Sequence, residues 1–127
     1  MDAPSHRTRV ASVSQRGSVT VVRIDPEVNQ TIADARATID LAYTVGGGKR
    51  HPVLVDMRQC APLEPEVRHF YTGQMLVDRF TAIGLLVEAT PVGRMMGNLY
   101  LRVAKNGIPT RLFADGTEAL AWLESQA

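Results

Sequence analysis

Among the side chains between positions 51 and 69, His51, Asp56, Cys60 and His69 could take part in catalysis or metal binding. A nucleophilic cysteine needs a base and a group that orients the base. His69 falls on the helix after Cys60, and His51 opens the strand that Asp56 closes, so the spacing brings neither histidine to the thiol. Cys60 therefore reads first as a packed thiol, and His69 as a boundary histidine beside Phe70. Asp56 ends the apolar run Pro52-Val-Leu-Val55. It could face a metal or a partner, but no second carboxylate or histidine stands at ligand spacing. The alternative is a strand-end aspartate that accepts backbone N–H bonds from its own loop.

Two further stretches invite a ligand reading. Gly46-Gly47-Gly48-Lys49 has glycines and a lysine, but Arg50 stands where a phosphate loop needs Ser or Thr. The order is also helix, glycines, strand, the reverse of that motif, so the glycines read as a helix stop and connector. Thr90-Pro-Val-Gly-Arg94 is a helix start, which could hold a phosphate or carboxylate or be simply capped. With Asn98, Thr90 and Arg94 are the candidates for a small-ligand site.

The elements that would position these residues follow from periodicity. Arg9–Ser14 and Ser18–Ile24 are β-branched runs around Gly17 and read as an antiparallel hairpin, its first strand at the sheet edge. Val19, Val21 and Arg23 fall on one face of the second strand, and Thr20, Val22 and Ile24 on the other. Asn29 is the expected N-cap of a helix from Gln30 to Val45, with Ile32, Ala35, Ile39, Ala42 and Tyr43 facing in. Pro52–Val55 and Thr81–Val87 are continuous apolar runs suited to buried parallel strands. Between them Glu66–Arg79 reads as one helix, weakened at Gly73, with Val67, Phe70, Tyr71, Gln74 and Val77 inward. Val92–Ala104 reads as an apolar helix with burial as its default. Thr110–Phe113 is the last strand, and Asp115-Gly-Thr-Glu118 caps a closing helix that turns Ala119, Leu120, Trp122 and Leu123 inward.

The order β-β-α-β-α-β-α-β-α predicts an α/β fold, with a mixed, mostly parallel five-stranded sheet and four helices. At 127 residues one domain, 1–127, is expected, with residues 1–7 frayed. Such buried strands need cover on both faces, and the pattern leaves the second cover unassigned.

Fourteen Lys and Arg against thirteen Asp and Glu give a net charge of +1, so no electrostatic case exists for nucleic acid. No run reaches the roughly 18 apolar residues of a membrane span, so no integral membrane protein is expected. One cysteine permits no intrachain disulfide and fits a cytoplasmic setting.

Pro52-Val-Leu-Val-Asp56-Met-Arg58, Ala82–Val87, Asn98, Pro109–Asp115 and Glu118-Ala-Leu-Ala-Trp-Leu123 together resemble the small bacterial SpoIIAA-like proteins, which belong with the STAS and STAS/SEC14-like domains. The resemblance spans Gly17 to Leu123 and is clearest from Pro52 onward. It implies a βα superhelix with strands adjacent in sequence order and the main helices largely on one side. It also implies a regulatory or binding domain, one that docks to a kinase-like partner and is switched by a phosphorylated serine after the central strand. Residues 56–66 contain no Ser, Thr or Tyr, so that switch is not expected here.

The expected function is thus a non-enzymatic STAS-like module that binds a protein partner or pairs with itself as a homodimer. Its docking surface would centre on Asp56, Arg58 and Cys60. The rival is a small-ligand or lipid binder holding an apolar or anionic molecule beneath the Met95–Val103 helix. An enzyme using Cys60 or Asp56 ranks last, and no cofactor or metal is implied.

Overall fold

A computed structural model describes residues 5–71, 73–95, 98 and 107–127. The elements run β1 (His6–Arg7), β2 (Ala11–Arg16), β3 (Val19–Ile24), α1 (Ile32–Val45), β4 (His51–Asp56), α2 (Pro65–Tyr71), α3 (Gln74–Arg79) and β5 (Phe80–Leu86). Then come α4, of which residues 91–95 and 98 are described, β6 (Thr110–Phe113) and α5 (Gly116–Glu124). The six strands lie in sequence order, β1 to β6. The first three are antiparallel; β3 to β6 are parallel.

Three expectations are corrected. Among the described residues the sheet has six strands, because His6 and Arg7 pair outside β2 against Val13 and Ser12. Arg7 is held by an ion pair to Asp25 at 2.5 Å, and Thr8 Oγ1 lies 3.0 Å from Thr38 Oγ1 on α1. These side-chain ties order a polar segment that carries no strand pattern, so β2 is not the edge. The N-cap of α1 is Thr31, not Asn29. The Thr31 hydroxyl accepts from the Asp34 N–H and the Asp34 carboxylate accepts from the Thr31 N–H, a reciprocal box that Asn29 cannot form. The third correction concerns the helix expected over 66–79, which is two helices. Gly73 starts α3 in extended conformation, so the helical phase restarts there. Leu76 is consequently buried, while Gln74 is exposed and Val77 half-buried.

The sheet is covered on both faces. Helices α1, α2 and α3 lie on one, over Val22, Ile24, Val53, Ile83 and Leu85. Helix α5 lies on the other, with Ala119 and Leu123 against Val19, Leu54, Ala82 and Leu86. The alternation expected for β3 is observed, Val19 and Val21 facing α5 and Val22 and Ile24 facing α1. Asp115 caps α5 by accepting from the Thr117 and Glu118 N–H groups. Gly84 lets the helix come close, since a Cβ there would lie 2.9 Å from Leu123 Cδ1.

The amino end of β4 is pinned by a buried polar chain. His51 Nδ1 donates to the Lys49 carbonyl at 2.8 Å, and Nε2 lies 2.7 Å from Thr20 Oγ1 on β3. The Thr20 hydroxyl reaches Gln15 Oε1 at 2.7 Å. A Cβ on Gly46 would lie 2.1 Å from the His51 ring. Gly46→Ala is therefore expected to displace a ring held at both nitrogens and to cost about 1–3 kcal/mol. A urea melt of the variant checks this; an unchanged midpoint would contradict it.

Candidate functional site

The carboxyl ends of the parallel strands form one edge of the sheet. In register across it, Arg23 of β3 pairs with Asp56 of β4, and Asp56 with Leu86 of β5. Asp56 is 5% exposed. Its Oδ1 accepts from the Arg58 backbone N–H at 3.2 Å and from Arg58 Nε at 3.0 Å, and its Oδ2 accepts from the second guanidinium nitrogen at 2.8 Å. Arg23 Nε lies 3.4 Å from Oδ2. Burial pushes the Asp56 carboxyl up, but the Arg58 hydrogen bonds and the charges of Arg58 and Arg23 more than offset this and hold it below the usual carboxylate range. A carboxylate so held is a weak general base. Its principal role in this geometry is to fix Arg58.

Three open clefts meet at that arginine. One, of about 360 Å³, is polar and includes Arg23, Asp56, Gln59 and Glu88. The second, of about 490 Å³, has the apolar walls Met57, Cys60, Pro62, Val87 and Val92. The third, of about 260 Å³, runs over Ser12, Ser14 and Leu120 on the α5 face. Arg58 lines all three. Its side chain is 43% exposed, yet two of its nitrogens are tied to Asp56.

Cys60 shares this loop but turns inward. It is half-buried, and its thiol donates to the Ala61 carbonyl at 3.1 Å. Burial pushes the thiol up to about 11. His51 is at the far end of β4, engaged with Thr20 and Lys49. Cys60 is the only cysteine, so alkylation reports on it alone. Its rate is expected to stay low at pH 8 and to climb toward pH 11, following the thiolate. A plateau already reached near neutrality would contradict this.

Thr90, Arg94 and Asn98 are all exposed. Thr90 caps α4 as expected, its hydroxyl accepting from the Gly93 N–H at 3.1 Å. Thr90 reaches the 490 Å³ cleft, whereas Arg94 and Asn98 line none of these three. Val92 and Met95 are 63% and 64% exposed, so the described start of α4 is not core. Met96, Leu99, Tyr100 and Val103 lie outside the described residues, as does most of the pocket expected beneath that helix.

Sequence reasoning missed Arg23, Gln59, Glu88 and Glu27. Arg23 had a usable signal, since aligning the ends of two parallel strands sets it beside Asp56. Glu27 had none. It adopts φ +54°, and its N–H donates to the Gln59 carbonyl at 3.2 Å, tying the β3–α1 loop to the β4–α2 loop. A non-glycine residue in that region marks a locally imposed conformation, here on the wall of the 490 Å³ cleft.

Among the described residues, no three His, Cys, Asp or Glu side chains are grouped to hold a metal ion. No described helix is long and apolar enough to cross a membrane.

Residues 13–127 match the family described as Domain of unknown function (DUF7793). The chain belongs to this family. No curated protein matches it in sequence. In structure, the DUF7793 chain is similar to an uncharacterized protein from the DUF3478 family with a SpoIIAA-like fold, from Shewanella loihica PV-4. The two superpose with a TM-score of 0.60 over 89% of this chain and 91% of the other, at 12% identity. The fold is thus SpoIIAA-like, and at that identity the likeness concerns the fold alone.

Proposed function

We propose that this chain is a non-enzymatic regulatory module that docks a protein partner on the carboxyl edge of its sheet. One observation carries the reading: Arg58, held on a buried carboxylate, stands where three open clefts meet. Arginine is enriched among the residues that dominate interface energy. Ordering it before contact removes part of the entropy cost of association. The exposed Val92, on the wall of the 490 Å³ cleft, adds apolar surface there. Arg58 and the exposed Gln59 make the contact, Asp56 holds Arg58 from beneath and Cys60 packs under the loop, with a second copy of the chain as one admissible partner.

Affinity purification from the native host tests this with Arg58→Ala beside Lys49→Glu, a control at the exposed opposite end of β4. The expected result is a stoichiometric partner, or a second copy, that Arg58→Ala loses and Lys49→Glu retains. Equal recovery with both variants would refute the assignment.

A further inference from the structure

Beside the docking loop lies a small crypt of about 20 Å³, lined by Ile24, Val55, Leu63 and Leu85 together with Met57 and Cys60. Gln30 and Tyr71 complete its lining, which is otherwise apolar apart from the Cys60 thiol. Gln30 is 8% exposed. Its Oε1 accepts from the Tyr71 hydroxyl at 2.5 Å, and its Nε2 has no hydrogen-bond partner. Burial, reinforced by the nearby Cys60 and Asp34, pushes the Tyr71 hydroxyl up, so it stays a neutral donor and fixes which way the amide faces. A buried N–H donor without an acceptor is costly and calls for an explanation.

Met57 and Cys60 line both this crypt and the 490 Å³ cleft outside it. One flexible thioether and one thiol therefore border both spaces, and a methionine repacks readily. The outer volume falls within the range of small-molecule sites, roughly 300–1,000 Å³. The inner one admits little more than a single oxygen-sized group. No Lys, Arg or His lines the crypt, so a carboxylate there would be buried without a counter-charge.

We propose that the crypt and outer cleft form one binding site for a small neutral molecule, whose apolar body lies along Met57, Pro62, Val87 and Val92 and whose carbonyl oxygen passes Met57 to accept from Gln30 Nε2. The site is argued from Gln30 and the shared Met57–Cys60 wall rather than from Arg58, and it shares with the docking reading only the outer cleft.

Three probes built on one six-carbon chain test it: methyl hexanoate, hexanoate and hexane. The full chain is titrated with each while the Gln30 side-chain amide resonances and the Cys60 alkylation rate are followed. Methyl hexanoate is expected to shift the amide saturably, to slow alkylation, and to bind about tenfold tighter than either hexanoate or hexane. Gln30→Met should erase the preference over hexane. Val92→Glu, at an exposed rim position that leaves folding intact, should weaken methyl hexanoate as well. Equal binding of ester and alkane, preferential binding of hexanoate, or a Gln30 amide contacted only by a long-lived water that the ester does not displace would each overturn the proposal.

Discussion

Leu123→Ala is expected to lower stability by about 2–5 kcal/mol, the cost of emptying a fully buried leucine site. The residue is 0% exposed and packs with Val19, Leu54, Ala82 and Leu86. Helix α5 has nine residues, too few to be stable alone in water, so its order depends on this contact and on the Asp115 cap. The loss should appear as a lower urea midpoint at unchanged slope. Gly84→Val is the reciprocal test from the sheet side. It places a branched side chain where even a Cβ meets Leu123 at 2.9 Å and Leu54 at 3.3 Å, and about 1–3 kcal/mol of overpacking follows. If both substitutions cost under about 0.5 kcal/mol, the typical bound for surface changes, α5 would not be the cover of the second face.

That cover shows how far the sequence could be read. The order of strands and helices was legible because each buried strand is a continuous apolar run and each turn has its glycine or proline. Asp115 and Thr90 announced their helices by type and spacing. The side of the sheet that α5 covers was not legible, since handedness and loop path decide it and Ala119, Leu120 and Leu123 would suit either face. His6–Arg7 escaped notice because side-chain ties to Asp25 and α1 order it, not an apolar pattern. The split at Gly73 was visible as a weak point, but whether a weak helix bends or breaks depends on the packing of Leu76 and Phe80. At the site, Asp56 and Arg58 could be picked out from the strand end. The second arginine required the register, and the unpartnered amide of Gln30 required coordinates.

Asp56→Asn is expected to act on binding more than on folding. It keeps the volume of the side chain but removes the charge that holds the Arg58 fork. Partner affinity should fall about tenfold or more, because an arginine left free must be ordered on contact. Stability should fall by about 1–2 kcal/mol, from weaker hydrogen bonds in place of charge-assisted ones. The pH dependence has a definite sign. The folded carboxyl titrates below its unfolded value of about 4, so the ionised group stabilises the fold above that value. The contribution disappears as pH falls through the folded pKa. The difference in stability between wild type and Asp56→Asn should therefore be full at neutral pH and shrink in acid. A difference that is flat from neutral pH into strong acid would contradict the ion pair as its source.

The central claim is that a partner contacts the Arg58 edge. A photo-crosslinking benzoylphenylalanine at exposed Gln59, introduced in the native host, tests it most directly, with the same group at Lys49 as the remote control. The account predicts one discrete adduct from Gln59, lost when Arg58→Ala is added, and none from Lys49. Adducts of the same pattern from both positions, or a Gln59 adduct indifferent to Arg58, would contradict it.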